Sequence, residues 1–179
     1  MKRVFQMASG VFAAVPGVAT LWKGLAIPPD RNVLFAVAAE VTGIGAILIL
    51  LANRTSLKKL RPNVVTRIAI VLAIAWFVSA ILYMALLAWC VVDHPQFGVV
   101  YFPLWSSGEL ANVITRADGR HEAVDRYGLD PVVIAIQKMP WYALTITDAV
   151  LLLTYVSVFV TLTVGFGILG FHAEGPRRR

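Results

Sequence analysis

Two carboxylates stand where carboxylates are costly: Glu40 in "FAVAAEVTGIG" and Asp148 in "LTITDAVLLL". An ionisable group inside a membrane-length apolar run is a candidate for handling ions or protons. On a helix starting at Asn32, Glu40 lies roughly 12 Å along the axis, near the middle of a bilayer. Its charge needs a partner, and Lys23, in the preceding apolar run, is the cation expected within reach. Two readings stand side by side. Glu40 lines an aqueous path, or it forms a Glu40–Lys23 ion pair that fixes helix register. Asp148 is expected nearer the outer boundary of its run, where Thr145 and Thr147 add polarity and where its side chain reaches toward water.

A second constellation lies in the most polar part of the chain. Arg120, His121, Glu122, Asp125 and Arg126 fall within seven positions of one another. His121 and Asp125 are one helical turn apart, the spacing of two metal ligands, but neither His94 nor His172 extends that spacing. The cluster therefore reads as a solvated, salt-bridged helix. The single cysteine, Cys90, has no partner for an internal disulfide and supplies no thiolate cluster. It reads as a small apolar residue near a helix end. No phosphate-cradling loop, nucleophile elbow or zinc-peptidase motif occurs. The sequence thus predicts no enzyme, no cofactor and no metal.

The elements that must position these residues follow from composition. Of 179 residues, 59% are hydrophobic and only 15% charged, and the mean hydropathy is +0.76. A soluble chain carries about a quarter charged residues. An all-α integral membrane protein is expected, a single membrane domain over 1–179 with four transmembrane helices at about 4–27, 32–53, 64–92 and 141–171. Each is long enough to cross a hydrocarbon core of ~30 Å. The last two exceed that length and are expected to tilt or project outward.

Orientation follows from the basic residues, which collect on the cytoplasmic side of short loops. The segment 54–63 carries Arg54, Lys58, Lys59 and Arg61 and no acid, and the tail 172–179 ends in Arg177, Arg178 and Arg179. With both termini and this loop inside, the chain belongs in a bacterial inner membrane. Segment 93–140 is then an outer cap. Ser106 with Glu109 has capping-box spacing, Asp118-Gly119 signals a turn, Gly128 ends a short helix, and Asp130-Pro131 opens another. Two or three short helices are expected there, with the aromatic "FGVVYFPLW" as an interfacial or packed segment. Trp22, Trp89 and Trp141, with Tyr83 and Tyr142, are expected to anchor the outer boundary, and Trp76 to pack between helices.

One stretch of the fourth span resembles a known family. In "FVTLTVGFG" (159–167), Thr163-Val164-Gly165-Phe166-Gly167 resembles the selectivity filter of potassium channels. The resemblance implies a filter role for these five residues, backbone carbonyls facing an ion, and four copies around one axis. The chain departs from the family after the motif, where Ile168-Leu169-Gly170 follows in place of an acidic residue and a pore-lining helix. The competing expectation is helix packing, with Gly165, Gly167 and Gly170 admitting a close neighbour.

These readings converge on a homo-oligomeric ion channel or pore, with Glu40 or the glycine-rich stretch at the permeation path. In build, the chain also resembles the small membrane effectors of bacterial anti-phage systems, which implies membrane disruption on a cytoplasmic signal. Two alternatives are an accessory or assembly subunit of a larger membrane complex, and a proton-coupled transporter using Glu40. The expected partners are the lipid bilayer and further copies of the chain. Anionic lipid or a cytoplasmic nucleotide would meet Arg54, Lys58, Lys59, Arg61 and Arg177–Arg179. Nucleic acid is disfavoured, because no aromatic stacking partners accompany the basic residues.

Overall fold

The computed structural model describes residues 32–172. The expected first span at 4–27, with Lys23 and Trp22, lies outside the described residues, as do Arg177, Arg178 and Arg179. Three long helices dominate: α1 (Asn32–Ala52), α3 (Pro62–Cys90) and α7 (Trp141–His172). Among the described residues these three are long and apolar enough to cross a membrane. Their bounds fall within two residues of the expected spans, because uninterrupted apolar runs have few alternative ways to satisfy their backbone. The short helix α2 (Arg54–Lys58) carries the basic segment.

Between α3 and α7 the chain forms a hairpin and three short helices: β1 (Val91–His94), β2 (Gly98–Tyr101), α4 (Gly108–Ala117), α5 (Arg120–Tyr127) and α6 (Leu129–Gln137). The described residues are mostly helical, as expected, and among them this hairpin is an element that the sequence did not predict. The third span was expected to run on to residue 92, but the helix ends at Cys90 and Val91 begins a strand. Two β-branched pairs, Val91-Val92 and Val99-Val100, flank a Pro95-containing turn, a strand pattern rather than a helical one. They pair antiparallel, Val92 opposite Val100, and both of these are buried. Gly98 closes the turn at φ +75, in the left-handed region that glycine enters without steric cost.

The chain divides into two compact units, one of residues 1–82 and 153–179, the other of residues 83–152. The second unit has its own core. Val92, Val100, Phe102, Leu110, Val124, Val132 and Ile136 are buried together with Ala143. Helices α4, α5 and α6 pack on one another, and α5 packs on β1. Helix α4 starts one residue later than the capping-box spacing suggests, with Ser107 as N-cap and no side-chain capping bond. Glu109 instead forms an ion pair with Lys138. The Asp118-Gly119 turn is present, with Asp118 left-handed at φ 68. The Glu122 carboxylate folds back over Gly119 at the start of α5, where a Cβ would displace its flexible end.

In the first unit, Leu50, Val65, Ile168 and Phe171 form a buried cluster, against which Leu57, Leu60, Leu72 and Leu169 pack. Phe35 of α1 meets Tyr155 of α7 with ring centroids 6.0 Å apart, and Tyr155 meets Phe159 at 4.9 Å.

Burial along α7 follows an unusual rule. Ala143, Thr147, Leu151, Tyr155, Phe159, Thr163, Gly167 and Phe171 are all buried, one at every fourth position. Four residues advance an α-helix by a full turn plus roughly 40°. The buried seam therefore winds around α7 instead of running straight along it.

Candidate functional site

Within the first unit, Glu40 sits in α1 and is half-buried. It is the one acidic or basic residue of that helix. Its carboxylate lies within electrostatic reach of the Tyr155 phenol on α7. Tyr155 is completely buried. A carboxyl and a phenol are both proton-exchanging oxygen acids, and an apolar run offers little else to an ion or proton. Tyr155 escaped the sequence reading because nothing in its local run separates it from any other buried aromatic. The expected partner Lys23 lies outside the described residues.

The five filter-like residues, Thr163, Val164, Gly165, Phe166 and Gly167, all lie inside the continuous helix α7. Helical backbone commits its carbonyls to amides four residues on, whereas a filter turns extended backbone toward an ion. In this conformation the likeness to a filter is one of sequence. Among the described residues of a single chain, no neighbour approaches Gly165 closely. A Cβ there would be 3.9 Å from the nearest atom, on Leu72, an ordinary contact. Gly165 instead borders an apolar groove of about 180 Å3 with Leu72, Trp76 and Phe166.

Asp148, expected near water, is half-buried, and its Oδ1 is out of contact with solvent. Thr147 does not line a polar vestibule. It is fully buried, its hydroxyl accepts from the Leu104 N–H at 2.9 Å and donates to the Ala143 carbonyl at 2.8 Å. Tyr83 is buried as well, whereas Trp89 and Trp141 are exposed.

In the second unit the polar cluster is organised differently from a salt-bridged helix. Arg120 is the first residue of α5. Its guanidinium donates to the Trp89 carbonyl and, at 3.2 Å, to the Leu104 carbonyl. It stacks 4.5 Å from the Trp89 ring centroid and 5.5 Å from that of Phe102. Trp89 Nε1 donates to the same Leu104 carbonyl at 2.9 Å. Burial lowers the Arg120 pKa from its ordinary value. The group stays charged, held by the Trp89 carbonyl at the C-terminal end of α3, where a cation is favoured, by the Leu104 carbonyl beyond β2, and by the aromatic faces.

His94 joins the cluster although its sequence spacing excluded it. Its Nε2 lies 2.9 Å from Asp125 Oδ1, and its imidazole is only 11% exposed. His94 Nδ1 accepts from the backbone N–H groups of Gln96 and Phe97, so Nε2 carries the proton that Asp125 receives. His121 Nδ1 is 3.7 Å from Asp125 Oδ2. Arg126 donates to the Arg116 carbonyl at 2.9 Å. Among the described residues no set of three or more metal-ligating side chains forms a metal site. The arrangement ties the hairpin turn to α5, a structural task.

Arg54, Lys59 and Arg61 are exposed at the membrane-helix end of the first unit, and Lys58 is half-buried. Comparison with protein-family models, curated proteins and solved structures found no match.

Proposed function

We propose that copies of this chain associate in a membrane to form an ion-conducting channel, with the path running past the Glu40 face of α1. The observation that carries this reading is Glu40 itself, a half-buried carboxylate midway along a membrane-length helix, where charge is retained for a purpose. The thin burial of the spans supports association. In α3 only 11% of the most apolar stretch is buried within one chain, which leaves faces for lipid or for further copies. A conducting path then forms between copies, and closed cyclic symmetry is the usual arrangement. The basic segment around α2 sits in the cytoplasm on this reading, with residues 93–140 outside, and a cytoplasmic signal acting near α2 gates the pore.

The test is purified protein in planar bilayers. Discrete conductance steps are expected, with Glu40→Gln reducing cation conductance at least tenfold while the oligomer persists. A monomeric, electrically silent protein sinks the proposal.

A second reading, an accessory subunit that presents the 83–152 unit to a larger complex, is favoured by exposed aromatics there. Trp141 is 80% exposed, and Trp105 and Trp141 flank Tyr142 at 6.5 and 6.2 Å. Silent bilayers together with a stoichiometric partner that is lost on Trp141→Ala would decide for it.

A further inference from the structure

The groove beside Gly165 and the basic segment of α2 border the same buried cluster. The groove is walled by Leu72, Ala73 and Trp76 of α3 and by Leu162, Gly165 and Leu169 of α7, and it is almost wholly carbon. Leu72 and Leu169 also pack on the cluster that holds Leu57 and Leu60. Those two leucines are the inward side of the basic segment. Its outward side presents Arg54, Lys59 and Arg61, all exposed and without a carboxylate partner among the described residues. Between Asn32 and Val92 the only acid is Glu40. An apolar slot and a group of cations with no carboxylate partner among the described residues thus flank one buried cluster.

We propose that this surface binds one anionic glycerophospholipid. Its phosphate lies against Arg54, Lys59 and Arg61, and one acyl chain occupies the groove at Gly165. The charge pattern selects the headgroup, since each basic side chain near a membrane surface favours anionic lipid by roughly fivefold. The groove suits an acyl chain, since its volume of about 180 Å3 holds a run of methylenes and its lining is almost wholly carbon. The absent side chain at Gly165 makes the slot, because the Leu72 side chain opposite stands a full contact distance beyond where a Cβ would be. The site is independent of conduction, so a silent bilayer leaves it standing.

The experiment uses the full chain in nanodiscs containing phosphatidylglycerol or phosphatidylcholine with a photoactivatable group in the acyl chain. Cross-links are mapped by mass spectrometry. Labelling of peptides containing Leu72, Trp76 or Leu169 is expected to be several-fold stronger with phosphatidylglycerol. Lys59→Gln with Arg61→Gln should bring the two lipids close to equal labelling and leave phosphatidylcholine labelling unchanged. Gly165→Leu fills the slot and should remove both labels from these peptides. Ala73→Leu, on the exposed rim, does the same should Gly165→Leu fail to fold. Equal labelling by the two lipids, or an excess that survives neutralisation of the cations, overturns the proposal. Labelling that persists in both filled-groove variants does so too.

Discussion

Arg120 is bound twice to Trp89: its guanidinium donates to the Trp89 carbonyl and lies 4.5 Å from the centre of the indole ring. The first residue of α5 therefore closes the last turn of α3. Carbonyls at a helix end have no intrahelical donor. Here Arg120 serves Trp89, and the Phe102 N–H serves Cys90 at 2.7 Å.

Arg120→Ala should destabilise the 83–152 unit by about 2 kcal/mol, the scale of a charge-assisted hydrogen bond. Thermal unfolding in detergent, followed by near-ultraviolet circular dichroism, reads the loss, because Trp89 reports on the site. Arg120→Lys should recover only part, since an ammonium lacks the planar fork that reaches two carbonyls and stacks on a ring. An Arg120→Ala protein that melts with the wild type removes the arginine from this role.

His94→Ala should speed hydrogen exchange at the Gln96 and Phe97 amides, which lose their acceptor. A double-mutant cycle between His94 and Asp125 should give a coupling of about 0.5–1 kcal/mol, modest because Asp125 is half exposed. The same cycle for His121 and Asp125, both exposed and 3.7 Å apart, should give nearly zero. Equal couplings would mean that the hairpin turn is not held through His94.

Gly165→Ala should leave thermal stability unchanged or raise it by up to about 1 kcal/mol, since alanine favours helix and the space is present. In any assembly that conducts, it should leave cation selectivity unaltered. A collapse of potassium over sodium selectivity would restore the filter and require a second conformation of residues 163–167.

Single-cysteine labelling tests orientation. The native thiol of Cys90 is buried and contributes little background. Ser56→Cys and Gln96→Cys both sit at exposed positions. In intact cells an impermeant maleimide should label Gln96→Cys and spare Ser56→Cys until the membrane is opened. The reverse pattern inverts the assigned topology.

The long helices were legible because a run of about twenty apolar residues has one dominant solution in lipid. The hairpin was not. Val91-Val92 continues the apolar run of α3 without a break, and the strand signal lies in the pairing of that dipeptide with Val99-Val100. Local turn chemistry was legible at Asp118-Gly119 and at Gly128, where left-handed backbone restricts residue choice. Contacts distant in sequence were not. His94 and Asp125, Glu109 and Lys138, and Trp89 and Arg120 are each separated by about thirty residues, and no spacing rule joins them. Glu40 was found by chemistry alone, while its neighbour Tyr155 needed the fold.

A helix whose contacts lie on one straight side can roll beneath its neighbours like a log. Within the first unit, the winding seam of α7 from Tyr155 to Phe171 forbids that freedom. Over its four steps the line of contact sweeps roughly 160° around the axis, so this part of the helix is held as a screw is held by its thread. Any roll large enough to disengage Tyr155 must also unseat Thr163 and Phe171, which are buried on the same seam.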